Sequence, residues 1–332
     1  MPRRPTSFDG RPLLDIASYA RRGLGRRDRL SPEEFEHISL TVHRTPEVMV
    51  KVLTRGGQNL GAVRKHFEYL NRKGELEIEA DDGQRLGGKG VERVLIEDWD
   101  LDIEEDRRRS NLAARPGRLP PKLVHKVLFS MPPGTAPHKV LDAVKNFARE
   151  EFGLKHRYAM VLHTDEPHPH VHMVIKAVSE QGERLNIRKP TLREWRREFA
   201  RHLRALGVPA NATERAVRGQ NRSPKLDSIY RAEQRGESLR VRARDEGIGG
   251  ELHSGRFRAE PGKETLVQTR KEVARGWREV SETLAAQGQN DLAAAVMRFI
   301  ERMPPPKTDL EMIAEEMRKD QRDPRALVGP TR

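Results

Sequence analysis

The chain has 332 residues, no cysteine, and 63 lysines and arginines against 50 aspartates and glutamates, which gives a net charge of +13. The lack of cysteine excludes disulfides and thiolate metal sites, so a metal would be held by nitrogen and oxygen, and it suits a reducing compartment. No apolar run approaches the ~20 residues of a membrane span, and no signal-type core follows the start, so we expect a cytoplasmic protein without membrane insertion. The positive charge favours a polyanionic partner such as nucleic acid, but does not by itself distinguish it from an anionic membrane.

The first part of the chain predicts a basic arm, a strand and a helix. Residues 1–45 are rich in Arg, Pro and Gly and predict a flexible arm, which either lies along a phosphate backbone or is an ordinary disordered terminus. A strand is predicted over Val48–Thr54. A helix follows, with Asn59 as its N-cap and Gly74 as its C-terminal glycine.

Tyr69 lies off the apolar stripe of this helix, within three or four residues of several basic side chains. These side chains would hold a phosphodiester beside its hydroxyl, which makes Tyr69 a candidate nucleophile for phosphoryl transfer. The alternative is an amphipathic tyrosine at the edge of the helix. Tyr19, in the arm, is the reserve candidate. The basic neighbours of Tyr69 are Lys65, His66, Arg72 and Lys73.

The middle of the chain predicts an insertion and then a second strand–helix pair. Residues 81–122 are charged and interrupted by Gly and Pro, which is typical of a long exposed insertion with one short helix near 91–105. A clear strand over Val124–Met131 precedes a helix opened by Pro137. Ser130 lies at the strand end before a glycine turn, where it would present its hydroxyl to a phosphate.

Four of the twelve histidines lie between residues 163 and 172, in the sequence HTDEPHPHVH. The apolar runs on either side predict two strands joined by a Pro-rich turn. Alternate side chains of a strand share a face, so His170 and His172 point the same way, and the hairpin brings His163 close to them. Three converging imidazoles predict a metal site. The alternative is the polar surface of an edge hairpin.

Two other residues of this segment have different predicted roles. His168 precedes Pro169 in the turn itself, which favours contact with substrate or solvent over contact with metal. Asp165 would orient a ligand imidazole through a hydrogen bond.

The last part of the chain predicts helices. An amphipathic helix over 192–206 carries an arginine face that either grips a DNA backbone or is solvated, and residues 211–245 look like a basic loop. Helices are predicted over Glu264–Ala286, over Asn290–Met303 and in a last segment through Lys319. The chain has no Walker-type phosphate loop, which argues against ATP-driven chemistry.

Three blocks of the sequence resemble the relaxases, the mobilisation nucleases of conjugative plasmids, in the branch that includes the T-DNA border nucleases. FEYLNRKG at 67–74 looks like the nucleophile motif of this branch. FSMPPG at 129–134 is similar to its Ser-Phe-Pro-x-Gly motif, with Met131 in place of the usual Phe. The block at 163–172 matches the H-x-D-x-x-H-P-H-x-H motif of HUH-type nucleases. The resemblance covers roughly residues 46–220, whereas the arm departs from relatives in which the tyrosine lies nearer the start.

The resemblance implies an α+β fold, with an HUH-type central antiparallel sheet and flanking helices on one face. Together with composition, which predicts a helical C-terminal appendage outside the match, it divides the chain into a basic arm (1–45), a relaxase domain (46–220), a basic linker (221–262) and a helical region (263–332). The run ATERAVRG at 212–219 also looks familial.

The resemblance also implies the chemistry. His163, His170 and His172 would bind Mg²⁺ or Mn²⁺, which polarises the scissile phosphate. Tyr69 would attack this phosphate, retain the 5′-phosphate and release a 3′-hydroxyl, in a step whose reversal rejoins the DNA without ATP. Asp165 is a further catalytic candidate. Candidate DNA contacts are Lys65, Arg72, Lys73, Ser130, His168, Arg193, Arg196, Arg197, Arg215 and Arg218.

The partners implied are single-stranded DNA at a transfer origin, accessory relaxosome proteins, a coupling ATPase and a type IV secretion channel. Three alternatives stay open. One is another HUH nuclease, such as a rolling-circle replication initiator or a transposase. Another is a non-catalytic DNA-binding module on the same fold. The third is a binding protein with a structural metal, for which His168 would have to supply the fourth ligand.

Overall fold

A computed structural model describes most of the chain. The described residues are 30–53, 57–113, 121–221, 235, 238–255, 260 and 262–322. They fall into two compact units, of which the first, residues 44–212, is here called the sheet unit. The second, here called the helical unit, combines residues before 44 with residues after 212.

The sheet unit is built on six antiparallel strands in the spatial order β1-β4-β6-β5-β2-β3. The long central strands β4, β5 and β6 are rich in Val, Ile, Leu and Met, which suit a pleated and buried surface. The predicted hairpin is confirmed, since β5 and β6 pair with His163 opposite His170. The strands are β1 (Met49–Leu53), β2 (Ile78–Ala80), β3 (Arg85–Leu86), β4 (Val124–Ser130), β5 (Tyr158–His163) and β6 (His170–Lys176).

The helices mostly begin and end where the sequence predicts. The exception in the insertion is the helix expected near 91–105, which is broken at Asp100, where the backbone takes a φ of 50°. A short 3-10 turn, Arg72–Gly74, follows the second helix. The helices are α1 (Pro32–Val42), α2 (Leu60–Leu70), α3 (Val91–Asp98), α4 (Leu101–Ala113), α5 (Pro137–Phe152), α6 (Lys189–Ala205), α7 (Leu239–Ser254), α8 (Lys263–Ala286), α9 (Asn290–Glu301) and α10 (Asp309–Arg322).

Helices cover both faces of the sheet, not one face as expected, because the alternating side chains of the central strands are apolar on both sides and each face has its own core. On one face α5 and α6 pack around Phe129, whose ring centroid lies 5.1 Å from that of Phe147 and 5.2 Å from that of Phe199. On the other face α2 places Val63, Phe67 and Leu70 against the alternate residues of β5 and β6. Because β-strand side chains alternate, the residues of these two cores never share a face. The face that α2 covers is here called the α2 face.

The helical unit has a third core, which joins α1, α8 and α9. In contrast with the flexible arm predicted over 1–45, residues 32–42 are helical, and residues 1–29 lie outside the described part of the chain. The capping box of Ser31 and Glu34, with Pro32 at the first helical position, explains this start. The α1 segment therefore belongs with the C-terminal helices.

Two further parts of the helical unit differ from the predicted boundaries. The run predicted to close the relaxase domain lies in this unit from Thr213 onwards, and Trp277 Nε1 donates to the carbonyl of Val217 at 2.9 Å. Helix α7 lies in what was predicted as linker, and the Ser238 hydroxyl caps it at the Val241 amide. Among the described residues, no helix combines the length and the apolar character that crossing a membrane requires.

Gly74 offers a test of how tightly the end of α2 is packed. Its φ is +106°, and a Cβ there would lie 2.9 Å from the backbone carbon of Gly88. We expect Gly74→Ala to lower the free energy of unfolding by about 2–4 kcal/mol, from left-handed strain and overpacking together. Gly88→Ala is the matched control, since its φ is +84° but a Cβ there meets nothing within 4 Å. Urea unfolding that gives equal losses for both variants would contradict the close approach.

Candidate active site

Three histidines meet on the α2 face, where β5 ends and β6 begins. The centroid of the His163 ring lies 4.8 Å from that of His172 and 5.4 Å from that of His170, and the last two are 5.3 Å apart. One nitrogen from each ring lies within 4.8 Å of the others. The hairpin therefore brings the three predicted ligands into an arrangement that can hold one metal ion.

The outer nitrogens of two of these rings are hydrogen-bonded to backbone. His163 Nε2 donates to the carbonyl of Leu70 at 2.9 Å, which leaves Nδ1 to face a metal. His170 Nδ1 donates to the carbonyl of His168 at 2.9 Å, which leaves Nε2. His172 Nδ1 is buried without a hydrogen-bond partner among the described residues. Fixed outer nitrogens are characteristic of metal-binding histidines.

Burial also favours the neutral form of two of these ligands, which is the form that binds a metal. Burial lowers the pKa of His172 to about 3, helped by the nearby rings of His163 and His170. Burial likewise lowers the pKa of His163, although its hydrogen bond to the Leu70 carbonyl opposes the change. These nitrogens have their lone pairs available near pH 7.

Tyr69 lies beside the three histidines. Its side chain is 45% exposed, and its ring centroid is 6.0 Å from those of both His163 and His172. Tyr69 is exposed because the apolar stripe of α2 faces the sheet, and Tyr69 lies outside this stripe, at the edge of the site. The hydrogen bond from His163 to the Leu70 carbonyl fixes the end of this helix against the three histidines, here called the triad.

Arg72 links Tyr69, His163 and Asp165. Its guanidinium carbon lies 4.9 Å from the centroid of the Tyr69 ring, a cation–π distance. Its Nη2 donates to the Asp165 carboxylate and also, at 3.5 Å, to His163 Nδ1, so Arg72 would have to turn away from this nitrogen for His163 to bind a metal. Asp165 is thus paired with Arg72, and its role in orienting a ligand imidazole stays a prediction. Sequence reasoning missed this because the pair spans two distant segments.

The turn that aims Arg72 back at the site is strained. Arg72 and Lys73 have φ of 52° and 58°, a conformation that costs a non-glycine residue roughly 1–2 kcal/mol. Asn71 offsets the cost, because its side chain accepts from the Gly74 amide at 3.2 Å and donates to the Gly88 carbonyl at 3.1 Å. Strain of this kind is common at functional sites.

The other predicted DNA contacts divide by position. Ser130 is buried opposite His170, and its hydroxyl donates to the Met131 carbonyl at 3.4 Å. Lys65, Lys73 and His168 are exposed in the sheet unit.

The arginines of α6 lie away from the histidines, since α6 packs on the opposite face of the sheet. Arg196 donates to the Val50 carbonyl of β1 at 3.4 Å, Arg197 pairs with Glu194 at 3.3 Å, and Arg193 is half-buried. Arg215 and Arg218 belong to the helical unit, where Arg218 Nε donates to the Thr213 carbonyl at 3.2 Å. The α2 face thus receives none of these three α6 arginines.

A second group of potential ligands lies between α5 and α6, formed by Glu150, Glu198 and His202. Arg201 pairs with both carboxylates, so each of them already has a cationic partner. This group therefore has the character of an ion-pair network.

His66 is the site residue whose role the sequence did not indicate. It precedes Tyr69 by one helical turn, and the two rings are stacked at 6.1 Å. Counted in the sequence as one of the basic neighbours, it is in fact neutral near pH 7, because burial and the charge of Lys126 lower its pKa to about 3. The i, i+3 spacing from Tyr69 was the available signal.

Comparison with known proteins finds similarity over part of the chain. Residues 78–208 match a family model described as "Relaxase: MobA/VirD2-like, nuclease domain", a range that includes the three histidines and begins after Tyr69. The chain is 24% identical over 221 residues to the "T-DNA border endonuclease VirD2" of Rhizobium radiobacter and to that of Agrobacterium fabrum. These matches cover 60% of this chain and 49% and 46% of the relatives, so the chain matches about half of their length. A solved structure described as "Molecular Basis of Vancomycin Resistance Transfer in Staphylococcus aureus" is 18% identical, with a TM-score of 0.24, over 34% of this chain and 70% of that chain.

Proposed function

We propose that this chain is a relaxase of the MobA/VirD2 type, which nicks one DNA strand at a transfer origin and later rejoins it. The observation that carries the proposal is the position of Tyr69, whose ring lies 6.0 Å from two of the three converging histidines. A nucleophile beside a candidate metal site is the arrangement that transesterification of a phosphodiester requires.

In the proposed reaction, the Tyr69 oxygen attacks the scissile phosphorus, and the bond from phosphorus to the 3′-oxygen breaks. The phenol loses its proton and the leaving oxygen gains one, so the products are a 5′-phosphotyrosyl adduct and a 3′-hydroxyl. The reverse step rejoins the strand without ATP, because the number of phosphoester bonds does not change. A divalent cation on His163, His170 and His172 would polarise the phosphate and offset the charge on its oxygens.

The donor set fits such a cation. Three neutral imidazoles leave the remaining coordination positions to phosphate oxygens and water, as a catalytic site requires. Mg²⁺ prefers oxygen ligands, whereas Mn²⁺ accepts nitrogen more readily, so we propose Mg²⁺ or Mn²⁺ with tighter binding of Mn²⁺.

The DNA contacts nearest to the reaction would come from the α2 face. Arg72 can move from Asp165 to a phosphate oxygen, and Asp165 can hold it in place until DNA arrives. The α6 arginines lie on the opposite face and would contact DNA only where the strand continues around the sheet. Residues proposed to contact DNA near the nick are Lys65, Arg72, Lys73, Ser130 and His168.

The alternative of a structural metal site can be tested by replacing His168. A structural site is closed by four protein ligands, and His168 would have to be the fourth. Its side chain is exposed, and its carbonyl, not its ring, accepts a hydrogen bond from His170. We therefore expect the free energy of unfolding of His168→Ala to lie within about 0.5 kcal/mol of the wild-type value, as is usual for surface substitutions. We also expect Mn²⁺ to raise the melting temperature of this variant as it does for wild type. Loss of folding or of the thermal shift would favour the structural site.

We also propose the compartment and the partners of this reaction. The enzyme would act in the cytoplasm on single-stranded DNA, with accessory relaxosome proteins, a coupling ATPase and a type IV secretion channel, and would initiate plasmid mobilisation. The test is a covalent-adduct assay with Mn²⁺ and DNA flanking the gene. An adduct that maps to a transfer origin supports the proposal. An adduct at a replication origin would indicate a rolling-circle initiator, and no adduct from metal-bound protein would indicate a binding module.

A further inference from the structure

Each imidazole that ligates a metal needs a partner for its other ring nitrogen, because that partner fixes the tautomer and the ring orientation. His163 and His170 have backbone carbonyls in this position. His172 has none among the described residues, and its Nδ1 is buried away from solvent. A buried N–H without a partner has lost its hydrogen bond to water without a replacement, so this nitrogen requires an acceptor.

The neighbouring ring of His66 also has a nitrogen without a hydrogen-bond partner in the described part of the chain, and this nitrogen can act as the acceptor. Its Nε2 is also buried without a hydrogen-bond partner among the described residues. The His66 and His172 rings lie edge to face, with centroids 6.2 Å apart. Two unpartnered ring nitrogens are therefore adjacent on the α2 face, one on a candidate metal ligand and one on the helix of Tyr69.

We infer that His66 accepts a hydrogen bond from Nδ1–H of His172, through a small ring rotation or one buried water, and so orients this ligand toward the metal. His66 is then a positioning residue, and the inference rests on the metal site of the proposed function. The bond satisfies both orphaned nitrogens and leaves Nε2 of His172 for the cation. It is also the second tie between the triad and α2, after the bond from His163 to Leu70.

The surroundings of His66 suit an acceptor. A neutral ring that carries its proton on Nδ1 has a lone pair on Nε2. The stacking on Tyr69 also restricts the His66 ring, so a shift of this ring would displace the side chain of Tyr69.

The test is the affinity of the full chain for Mn²⁺, measured by titration calorimetry without DNA. Gln places an amide near the position of Nε2 and can accept, whereas Phe keeps the ring and removes the acceptor. We expect His66→Phe to bind Mn²⁺ about 10–100-fold more weakly than wild type, as is usual for loss of an outer partner, and His66→Gln to bind within about threefold. Equal weakening in both variants, or no weakening in His66→Phe, would overturn the inference.

Two further measurements separate possible failures. If wild type binds no Mn²⁺, or if His170→Ala binds as well as wild type, the proposed metal site fails and the inference fails with it. If only the His66 variants behave otherwise than expected, the inference fails alone. Should His66→Phe not fold, long-range ¹H–¹⁵N spectra of histidine-labelled wild type with Zn²⁺ decide. We expect His172 protonated on Nδ1 and His66 unprotonated on Nε2, and a proton on Nε2 of His66 would overturn the inference.

Discussion

Replacing Tyr69 by phenylalanine should abolish the covalent protein–DNA adduct and leave folding and Mn²⁺ binding as in wild type. The hydroxyl is the only atom that the substitution removes, and the half-exposed ring keeps its contacts with His66 and His172. Loss of a nucleophile leaves only binding and electrostatic contributions, so we expect adduct formation to fall by at least about 10³-fold. The measurement is adduct yield on a denaturing gel, with Mn²⁺ and single-stranded DNA from the gene's own locus.

Tyr158→Phe is the matched control for this experiment. Tyr158 is 3% exposed and belongs to the core on the opposite face of the sheet, so its hydroxyl has no access to the site. The control should form the adduct at the wild-type level. An adduct that persists in Tyr69→Phe would move the nucleophile to Tyr19, which lies outside the described residues.

Removing one ligand of the triad should have an effect of similar size. We expect His170→Ala to weaken Mn²⁺ binding by more than about 100-fold, since loss of an outer partner alone costs about 10–100-fold. Adduct formation should fall with it, and a chelator should have the same effect on wild type. His170 is the least buried of the three ligands, so the variant should still fold. Calorimetry with Mn²⁺ and the adduct gel give the two readouts.

The second group of potential ligands provides the control. Glu150 lies with Glu198 and His202, but its carboxylate is paired with Arg201 and its side chain is 59% exposed. Glu150→Gln should therefore leave both Mn²⁺ affinity and adduct yield unchanged. Adduct formation that survives chelation, or in His170→Ala, would remove the metal from the proposed mechanism.

The parts of the fold that local patterns determine could be predicted from the sequence. Two apolar runs joined by a Pro-rich turn, over residues 158–175, predicted the hairpin, and the observed register places His163 opposite His170. The helix of Tyr69 likewise begins after its N-cap Asn59, whose side chain accepts from the Ala62 amide at 2.7 Å. In both cases the deciding interactions lie within a few residues or across one turn.

The parts that long-range contacts determine could not be predicted. Composition made residues 32–42 look like part of a flexible arm, whereas packing against α8 and α9 belongs to the tertiary fold. The pairing of Asp165 with Arg72 depends on a left-handed turn that no residue type in the sequence requires. The burial that makes His66 neutral is also invisible in a list of nearby charges.

The order of the strands limits when the site can exist. Strand β6 lies between β4 and β5, so a nascent chain that has not reached residue 176 has neither a continuous sheet nor a fixed position for two of the three imidazoles. Leu70 and His163, which tie the helix of Tyr69 to the triad, are 93 residues apart, and contacts of such separation form slowly. The three histidines therefore take up their arrangement only after the chain has passed residue 176, about halfway along the 332-residue sequence. A product that ends before β6 would carry the helix of Tyr69 without two of the three imidazoles.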